Sequence, residues 1–415
     1  MLLALQSLVG FIAIFVFAWS ISEKRKAVPW RTVLSAIVMQ VVLFVLMFKF
    51  PWFKEMSAIL NDALGGIQKA TAEGSSFVFG YLASSVFPAK TEPGANTFIF
   101  ATQVLTMAIV VSALSSLLFY WRILPMLVSA FSWVLRKTIG VGGAVGVSTA
   151  ANIFLGMVEA PLFIKPYLAR LSRGELFITM TCGMAGIAGT VMAVYGTMLK
   201  PIVPDAIGHI LIVSFISAPA AIAISCLMIP PEGGPTDGEV TSANPATSAM
   251  DAILQGTLDG LTLFINVCGL LLVLIALISI ANQLLIFLPA WGSKPLTLQA
   301  IFGWIMAPVV WLTGIPWAEA QTAGALMGTK TVLNEFVAFL DLAKINPGEL
   351  SERSRVIMTY SLCGFANFSS IGIIIGGMGS MCPERRVEIT NMGYKCLIGG
   401  TLATLSCGAL VGIFY

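Results

Sequence analysis

Two short segments of the chain are close copies of each other, and each follows a glutamate placed among apolar residues. Residues 182–189 read Cys-Gly-Met-Ala-Gly-Ile-Ala-Gly, and residues 363–370 read Cys-Gly-Phe-Ala-Asn-Phe-Ser-Ser. Glu159 precedes the first copy and Glu335 precedes the second. Upstream of each glutamate lies a segment rich in small residues that is too interrupted to be a simple membrane span. A repeated unit that joins a broken helix to a buried carboxylate is typical of secondary transporters, whose substrate site forms where two such units meet.

The composition assigns the whole chain to the membrane. It is 57% hydrophobic and only 10% charged, with a mean hydropathy of +0.92, whereas a soluble domain has about 25% charged residues. We therefore predict an all-α polytopic membrane protein. A single histidine and seven cysteines without a CxxC pair provide neither a Cys/His metal cluster nor a nucleophile–histidine triad. The sequence thus indicates no enzyme, no resident cofactor and no certain metal site.

Apolar segments long enough to cross a bilayer, which takes about 20 residues, predict eight spans. Residues 23–26, Glu-Lys-Arg-Lys, follow the first span, so the positive-inside rule places both chain termini outside. Residues 52–96 carry polar residues every few positions and predict amphipathic helices that lie in the interface. The predicted spans cover about 2–22, 32–48, 97–119, 175–198, 206–229, 260–284, 355–377 and 391–415.

Two further apolar segments, 143–170 and 297–343, are broken by polar residues and predict re-entrant helical hairpins. Such irregular backbone is tolerated at membrane depth only where protein or a wet cavity surrounds it. Basic residues flank the first hairpin on both sides, so it enters from the cytoplasm, and by span counting the second enters from outside. The chain is therefore predicted to be an inverted repeat. Its predicted segments are 1–138, N-terminal scaffold spans and interfacial helices; 139–229, first hairpin repeat with an unwound span and the following span; 230–250, cytoplasmic linker; and 251–415, linking span and second hairpin repeat with an unwound span and the last span.

The two glutamates are the strongest candidates for function, because a carboxylate at membrane depth is costly unless it is paired or faces water. A structural hydrogen bond that holds a hairpin tip together is the alternative. Lys330 is close enough in sequence to neutralise Glu335.

The repeated segments carry the other candidate groups. Gly183, Gly186 and Gly189 allow either close helix packing or an unwound stretch with free carbonyls. At the matching place of the second copy, Asn367 is followed by Ser369 and Ser370. Buried polar groups need partners, so these side chains suggest a ligand rich in hydroxyl groups. Phe365, just before them, is placed either to stack on a flat ring or to pack.

Three motifs together resemble the concentrative nucleoside transporters: Gly-x-x-Glu-Ala-Pro-Leu at 156–162, Asn-Glu-Phe-Val-Ala-Phe at 334–339, and Cys-Gly-Phe-Ala-Asn-Phe-Ser-Ser-Ile-Gly at 363–372. The resemblance covers nearly the whole chain in order and topology. It implies a symporter in the plasma (inner) membrane of a bacterium that imports nucleosides by alternating access. It also implies a homotrimer, in which each protomer combines a scaffold with a mobile transport domain built from both hairpins and both unwound spans.

The resemblance also implies roles for individual residues. Glu335, Asn367 and Ser370 match the ribose ligands, and a carboxylate, an amide and a hydroxyl complement a ribose diol. Phe365 matches the residue against the base, and Val191 matches an apolar contact. The substrate-binding set implied in this way is Glu335, Asn367, Ser370, Phe365, Glu159, Met157, Val158 and Val191.

The chain departs from the family pattern at two places. Met157 and Val158 replace a Gln-Thr pair that hydrogen-bonds the base edge, so looser base discrimination is expected. The family's sodium site is matched at Asn152 but has Gly186 in place of a serine. Because Glu159 is a buried carboxylate that can bind a proton outside and release it inside, proton coupling is favoured over sodium coupling. The candidate coupling-ion residues are Glu159, Asn152, Thr181, Gly186 and Ile187.

The alternatives are a sodium-coupled nucleoside symporter, a carrier for another polar solute, and a channel. Paired hairpins of opposite topology suit a carrier better than a channel, whose pore is lined by a ring of equivalent residues. The expected partners are a nucleoside substrate and membrane lipid, and no nucleic acid.

Overall fold

The structure, a computed structural model, describes residues 2–83, 99–239, 246–287, 296–346 and 348–415. Within these ranges the chain is helical, without strands. The helices are α1 Leu2–Ser20, α2 Trp30–Lys49, α3 Pro51–Phe79, α4 Thr106–Tyr120, α5 Ile123–Ile139, α6 Gly143–Ala151, α7 Glu159–Leu162, α8 Arg173–Ala185, α9 Gly189–Leu199, α10 Ala206–Met228, α11 Ala249–Leu285, α12 Leu298–Leu312, α13 Trp317–Val332, α14 Glu335–Lys344, α15 Glu352–Leu362, α16 Phe368–Met381 and α17 Arg386–Phe414. A π-helical turn, Ala101–Leu105, leads into α4, and short 3₁₀ turns are formed by Arg25–Ala27, Gly80–Ala83, Lys165–Arg170 and Pro383–Arg385.

The eight predicted spans are confirmed as helices. By length and composition, six helices in the described ranges are able to cross a membrane: α1, α2, α4 with its π-turn, α10, α11 and α17 with the 3₁₀ turn before it. The other two predicted spans are each divided into two shorter helices, α8 with α9 and α15 with α16. The broken spans are therefore the ones that contain the repeated sequence segments.

The region predicted to lie in the interface begins with a single helix, α3, which is 29 residues long and packs against α2, α4 and α10. It is not among the helices that qualify as spans. Residues 84–96 of the predicted region lie outside the described residues. One amphipathic helix, α5, was not predicted as a separate element. Its buried positions 124, 128, 132, 135 and 139 recur every three or four residues, which is the helical period that identifies such a face.

The inverted repeat is visible in the order of the helices. α4 to α10 form one series, and α11 to α17 repeat it element by element. In the first series residues 152–158 interrupt α6 and α7, and in the second residues 333–334 interrupt α13 and α14. The predicted second hairpin, 297–343, also contains a bend of 117° between α12 and α13. That bend makes α12 the counterpart of α5.

The packing of the spans joins distant parts of the chain. α4 packs along α11, whereas α1 packs against α17 and α2 against α10. The division of the chain into the four predicted segments stays a prediction. In the predicted linker, Thr236 donates hydrogen bonds from its backbone N (2.7 Å) and its hydroxyl (2.8 Å) to the Glu175 carboxylate of α8. Residues 240–245 of the linker lie outside the described residues.

An ion-pair cluster ties the α1–α2 connection to the starts of α8 and α17. Glu23 accepts hydrogen bonds from Arg173 Nε (3.2 Å) and Nη2 (2.9 Å), and Lys395 Nζ lies 2.5 Å from its Oε1. Arg173 also pairs with Glu388 of α17 at 3.6 Å. The hydrogen bond from Arg173, with a smaller contribution from Lys395, lowers the pKa of Glu23 from 4.5 to about 2.

This cluster predicts an acid-sensitive contribution to stability. A folded-state pKa below the unfolded value stabilises the protein above about pH 4.5, and the contribution is lost as pH falls toward about 2. We expect Glu23→Gln to have a lower melting temperature than the wild type at pH 7. This difference between the two proteins should shrink progressively below pH 4.5. Thermal unfolding in detergent across this pH range measures the difference. Glu73→Gln, at an exposed position on α3, is the control; a wild-type advantage independent of pH would contradict the prediction.

Candidate functional site

A cavity of about 1650 Å³ lies where the two repeats meet. Both hairpin tips, both helix breaks, and the scaffold helices α4 and α11 contribute to its wall. All eight residues of the predicted substrate-binding set line it: Glu335, Asn367, Ser370, Phe365, Glu159, Met157, Val158 and Val191. The structure therefore brings together residues from four separate stretches of sequence. Their role in binding stays a prediction.

Glu335 lies at the start of α14, in the second hairpin. Asn334 precedes it and caps the helix, because its Oδ1 accepts a hydrogen bond from Val337 N at 2.9 Å. Glu335 as a whole is 5% exposed. Its carboxylate accepts two hydrogen bonds, from the Tyr195 hydroxyl at 2.7 Å and from Asn367 Nδ2 at 3.2 Å. A carboxylate at a helix N-terminus is also stabilised by the positive end of the helix dipole.

Asn367 has two tasks at the second helix break. Its Oδ1 caps α16 by accepting hydrogen bonds from Ser370 N (2.9 Å) and Ser369 Oγ (2.6 Å). This cap fixes the amide orientation, because the oxygen faces the helix and the Nδ2 group is left to donate to Glu335. Ser370, in the first turn of the same helix, is buried beside it and faces the cavity.

The two helix breaks are hydrogen-bonded to each other. Phe365 N donates to Gly186 O at 3.1 Å. Gly364 permits this approach, since a Cβ added there would lie 2.8 Å from Ala185 O. The backbone at Gly186 and Ala188 is extended, so this segment is unwound, but the Gly186 carbonyl is bonded to Phe365 N rather than free for a ligand. Close packing also applies, at Gly183, where an added Cβ would lie 3.0 Å from Met157 Cβ.

In the first hairpin tip, the carboxylate of Glu159 lies against Gly156 of the same tip. A Cβ added to Gly156 would lie 2.3 Å from Glu159 Oε2, so the carboxylate occupies space that only glycine leaves free. Glu159 is expected from the sequence to be buried, but in the structure it is exposed to the cavity. Val158 packs on α16, where an added Cβ on Gly377 would lie 2.6 Å from Val158 Cγ1. Met157 and Val158 therefore join the first hairpin to the two broken spans.

The candidate coupling-ion residues divide into two groups. Asn152 donates from Nδ2 to Cys182 O at 2.6 Å, and a Cβ added to Gly186 would lie 2.4 Å from that same nitrogen. Asn152 and Gly186 are therefore in contact, whereas their role in ion binding stays a prediction. Thr181 is buried against Gly399 of α17, and Ile187 is buried in the helix break. Apart from Glu159, none of the five is among the cavity-lining residues of the described chain.

Lys330 interacts electrostatically with Glu335, as expected, but its hydrogen bonds are made to other groups. It is fully buried, and its Nζ donates to Ser361 O (2.8 Å) and Thr404 Oγ1 (2.9 Å). No carboxylate of the described residues lies within ion-pair distance of it. Ser361 is in the last turn of α15, whose carbonyls have no partner within the helix. A cation at a helix C-terminus satisfies such a carbonyl and the helix dipole together, so Lys330 stabilises the broken end of α15.

Tyr195 was not identified from the sequence. It lies one helical turn after Val191 on α9 and also lines the cavity. Residues four apart share a helix face, so its position relative to Val191 was the available signal.

Comparison with known proteins identifies similar sequences and structures over the whole chain. Residues 9–82 and 209–412 match models for the N- and C-terminal parts of the Na+ dependent nucleoside transporters, and residues 101–202 match a model described as nucleoside recognition. An uncharacterized transporter of Haemophilus influenzae is 37% identical over 99% of this chain and 97% of its own length. The nucleoside permease NupC of Helicobacter pylori is 35% identical over 99% and 98%. The structure of CNTnw in an inward-facing substrate-bound state is similar, with a TM-score of 0.90, 34% identity and coverage of 99% and 98%.

The contact at Gly156 predicts an effect on ligand binding. An added methyl group forces the Glu159 carboxylate out of its position, and an off-rotamer side chain costs about 0.5–1.5 kcal/mol. We expect Gly156→Ala to weaken binding of uridine, the type of ligand that the resemblance implies, by about 2- to 10-fold. Isothermal titration in detergent measures it. Gly66→Ala on α3, where no atom lies within 4 Å of an added Cβ, is the matched control. Unchanged affinity in Gly156→Ala would show that the Glu159 position does not matter for binding.

Proposed function

Because the chain belongs to the concentrative nucleoside transporter family, we propose that it imports nucleosides by proton symport through alternating access. The observation that supports this most strongly is the shared cavity, to which each repeat contributes a glutamate and a helix break. A site built equally from two inverted units is the arrangement on which alternating access depends.

The ribose is proposed to bind at Glu335, Asn367 and Ser370. The carboxylate accepts from sugar hydroxyls, whereas the serine hydroxyl both donates and accepts. All three groups are buried and already take part in one hydrogen-bonded network, in which Asn367 bonds both to Glu335 and to the backbone of Ser370. A hydroxyl-rich ligand entering such a network finds partners of both kinds.

The base is proposed to lie against apolar side chains. Phe365 is half-buried at the cavity wall, and Val191, Met157 and Val158 line the same cavity. An apolar pocket discriminates between ligands by only about 1–3 kcal/mol per feature, while a site that hydrogen-bonds a polar edge discriminates far more strongly. Purine and pyrimidine nucleosides are therefore expected to compete with similar strength, and inhibition by nucleosides of a single base would contradict this.

Loss of the ribose ligands should abolish most transport. Each of Glu335→Gln, Asn367→Ala and Ser370→Ala removes a hydrogen bond at a cost of about 1–3 kcal/mol, which corresponds to about 5- to 150-fold weaker binding. Uptake of labelled uridine and adenosine into proteoliposomes measures the effect. Ser380→Ala is the matched control, because Ser380 lies on the same helix, is exposed and bonds only its own helix at Gly377 O. Wild-type uptake by all three variants would refute the site.

Proton coupling is supported by the contacts around the helix break. Asn152 presents an amide nitrogen, a hydrogen-bond donor, where the backbone of Gly186 leaves space. A sodium ion needs oxygen atoms around it, and this chain lacks the serine hydroxyl at that position. Glu159, in contrast, is exposed to the cavity and can exchange a proton with water there. Sodium coupling is the alternative, since the matching family models are described as Na+ dependent.

Gradients imposed across proteoliposomes separate the two ions. We expect an inward proton gradient, at equal sodium on both sides, to accelerate uridine uptake several-fold over the rate without a gradient. Gly186→Ser supplies the missing hydroxyl and displaces Asn152, so it should respond more strongly to sodium than the wild type does. Wild-type uptake that follows a sodium gradient at equal pH, without any response to a proton gradient, would show that sodium is the coupling ion.

The assembly is proposed to be a homotrimer in a bacterial plasma membrane, with both termini outside. The 37-residue helix α11 supports a large contact with lipid or neighbouring subunits, since only 6% of its apolar window is buried within the protomer. Light scattering of the purified protein tests the trimer. The orientation is tested by introducing cysteines at the chain termini and labelling them in intact cells.

A further inference from the structure

Tyr195 is a buried tyrosine whose side-chain hydroxyl is bonded to a residue of the proposed sugar site. Its ring, 1% exposed, lies between two aromatic rings of the second hairpin, Phe336 at 5.8 Å and Phe339 at 4.8 Å between centroids. Its hydroxyl donates to Glu335 Oε1 at 2.7 Å. A buried tyrosine hydroxyl needs a hydrogen-bond partner, and here the partner is the carboxylate that is proposed to bind ribose.

The two oxygens of Glu335 are held from opposite repeats. Tyr195 of α9, in the first repeat, donates to Oε1, and Asn367, in the second repeat, donates to Oε2. A carboxylate offers about four lone-pair positions, so these two donors leave positions free for a ligand while they fix the direction in which the positions point. The carboxylate is therefore oriented before a ligand arrives, and such preorganisation increases affinity because less ordering is needed on binding.

We infer that Tyr195 is a positioning residue for Glu335 and that its hydroxyl enables the site to distinguish ribose from deoxyribose. With both oxygens held, the carboxylate meets each ribose hydroxyl at a fixed place, and a missing hydroxyl leaves an acceptor unpaired. Without the Tyr195 hydroxyl, Oε1 is free to rotate toward whichever hydroxyl remains. This inference rests on the proposed role of Glu335 in binding the sugar.

The conservative variant Tyr195→Phe tests the inference, since it keeps the ring between Phe336 and Phe339 and removes only the hydroxyl. Affinities for uridine, 2′-deoxyuridine and 3′-deoxyuridine are measured by isothermal titration on the full chain in detergent. We expect uridine to bind about tenfold more weakly than to wild type, a change of about 1.4 kcal/mol. The preference for uridine over the two deoxynucleosides is expected to shrink severalfold.

Tyr360→Phe is the matched control. Tyr360 is also fully buried, but its hydroxyl lies 3.1 Å from His209 Nδ1 and the residue is not part of the cavity wall. Its replacement should leave both the uridine affinity and the ribose preference unchanged. A second form of the protein, with 3-fluorotyrosine in place of Tyr195, keeps the shape and strengthens the phenol as a donor, so its ribose preference should be at least that of wild type even if the phenylalanine variant does not fold.

Three results overturn the inference or its premise separately. Equal weakening of all three ligands by Tyr195→Phe would show that Tyr195 acts only on the structure of the pocket. Unchanged affinities in Tyr195→Phe, together with loss of binding in Glu335→Gln, would overturn the role of Tyr195 while leaving the sugar site intact. Wild-type binding in Glu335→Gln would remove the proposed site itself. The result that would support the inference is a double variant, Tyr195→Phe with Glu335→Gln, that binds uridine no more weakly than Glu335→Gln alone.

Discussion

A helix that breaks inside a membrane exposes backbone N–H and C=O groups that no water or lipid can satisfy, and the whole structure is arranged around that constraint. The two broken spans satisfy part of it by bonding to each other, Phe365 N to Gly186 O. Lys330 supplies another part, because it donates to the carbonyl of Ser361 at the broken end of α15. After the second break, the side chain of Asn367 caps α16. After the first break, α9 has no side-chain cap at Ala188, and Gly189 N donates instead to Phe154 O of the first hairpin. The bond between Phe365 and Gly186 therefore makes each break depend in part on the other repeat, whereas Lys330 and Asn367 act within the second repeat.

Two of the residues that stabilise the breaks, Phe365 and Asn367, also line the cavity. Asn367 caps α16 and bonds to Glu335, while Asn334 caps α14 and places Glu335 at its start. Capping and recognition therefore use one connected network. A network whose members are all satisfied holds a defined geometry, whereas loss of one member leaves buried partners unpaired. This explains why the polar residues of the proposed sugar site, Glu335, Asn367 and Ser370, lie at the starts of α14 and α16.

Much of the fold and of the cavity could be predicted, because their signals are local. The spans follow from apolar length, and the glutamates and the unwound segment at Gly186 follow from residue types that a membrane helix does not normally contain. Tyr195 could not be singled out, since a tyrosine in an apolar helix is ordinary until its partner Glu335, distant in sequence, is known. The bend between α12 and α13 is marked in the sequence by Gly314, at a positive φ, and by Pro316, but the whole of 297–343 is predicted as one hairpin. Lys330 was paired with the nearest carboxylate in sequence, but its hydrogen-bond partners come from α15 and α17.

The bond between the two breaks has a mechanical consequence. Separating the repeats would expose two backbone groups at once, together with the carboxylate that both repeats hold, so the pocket resists being pulled apart along its own midline. We expect relative movement to occur instead at the perimeter of the pocket. There Phe336 of the second hairpin meets Phe100, beside α4, through ring centroids 4.6 Å apart. Loss of an apolar contact of this kind leaves no hydrogen-bonding group unpaired, although α4 and α11 also present polar side chains such as Ser112 and Asp259 to the cavity. In the proposed alternating access, both hairpins and both helix breaks would then move past α4 and α11 together as one rigid body, with the ligand pocket intact.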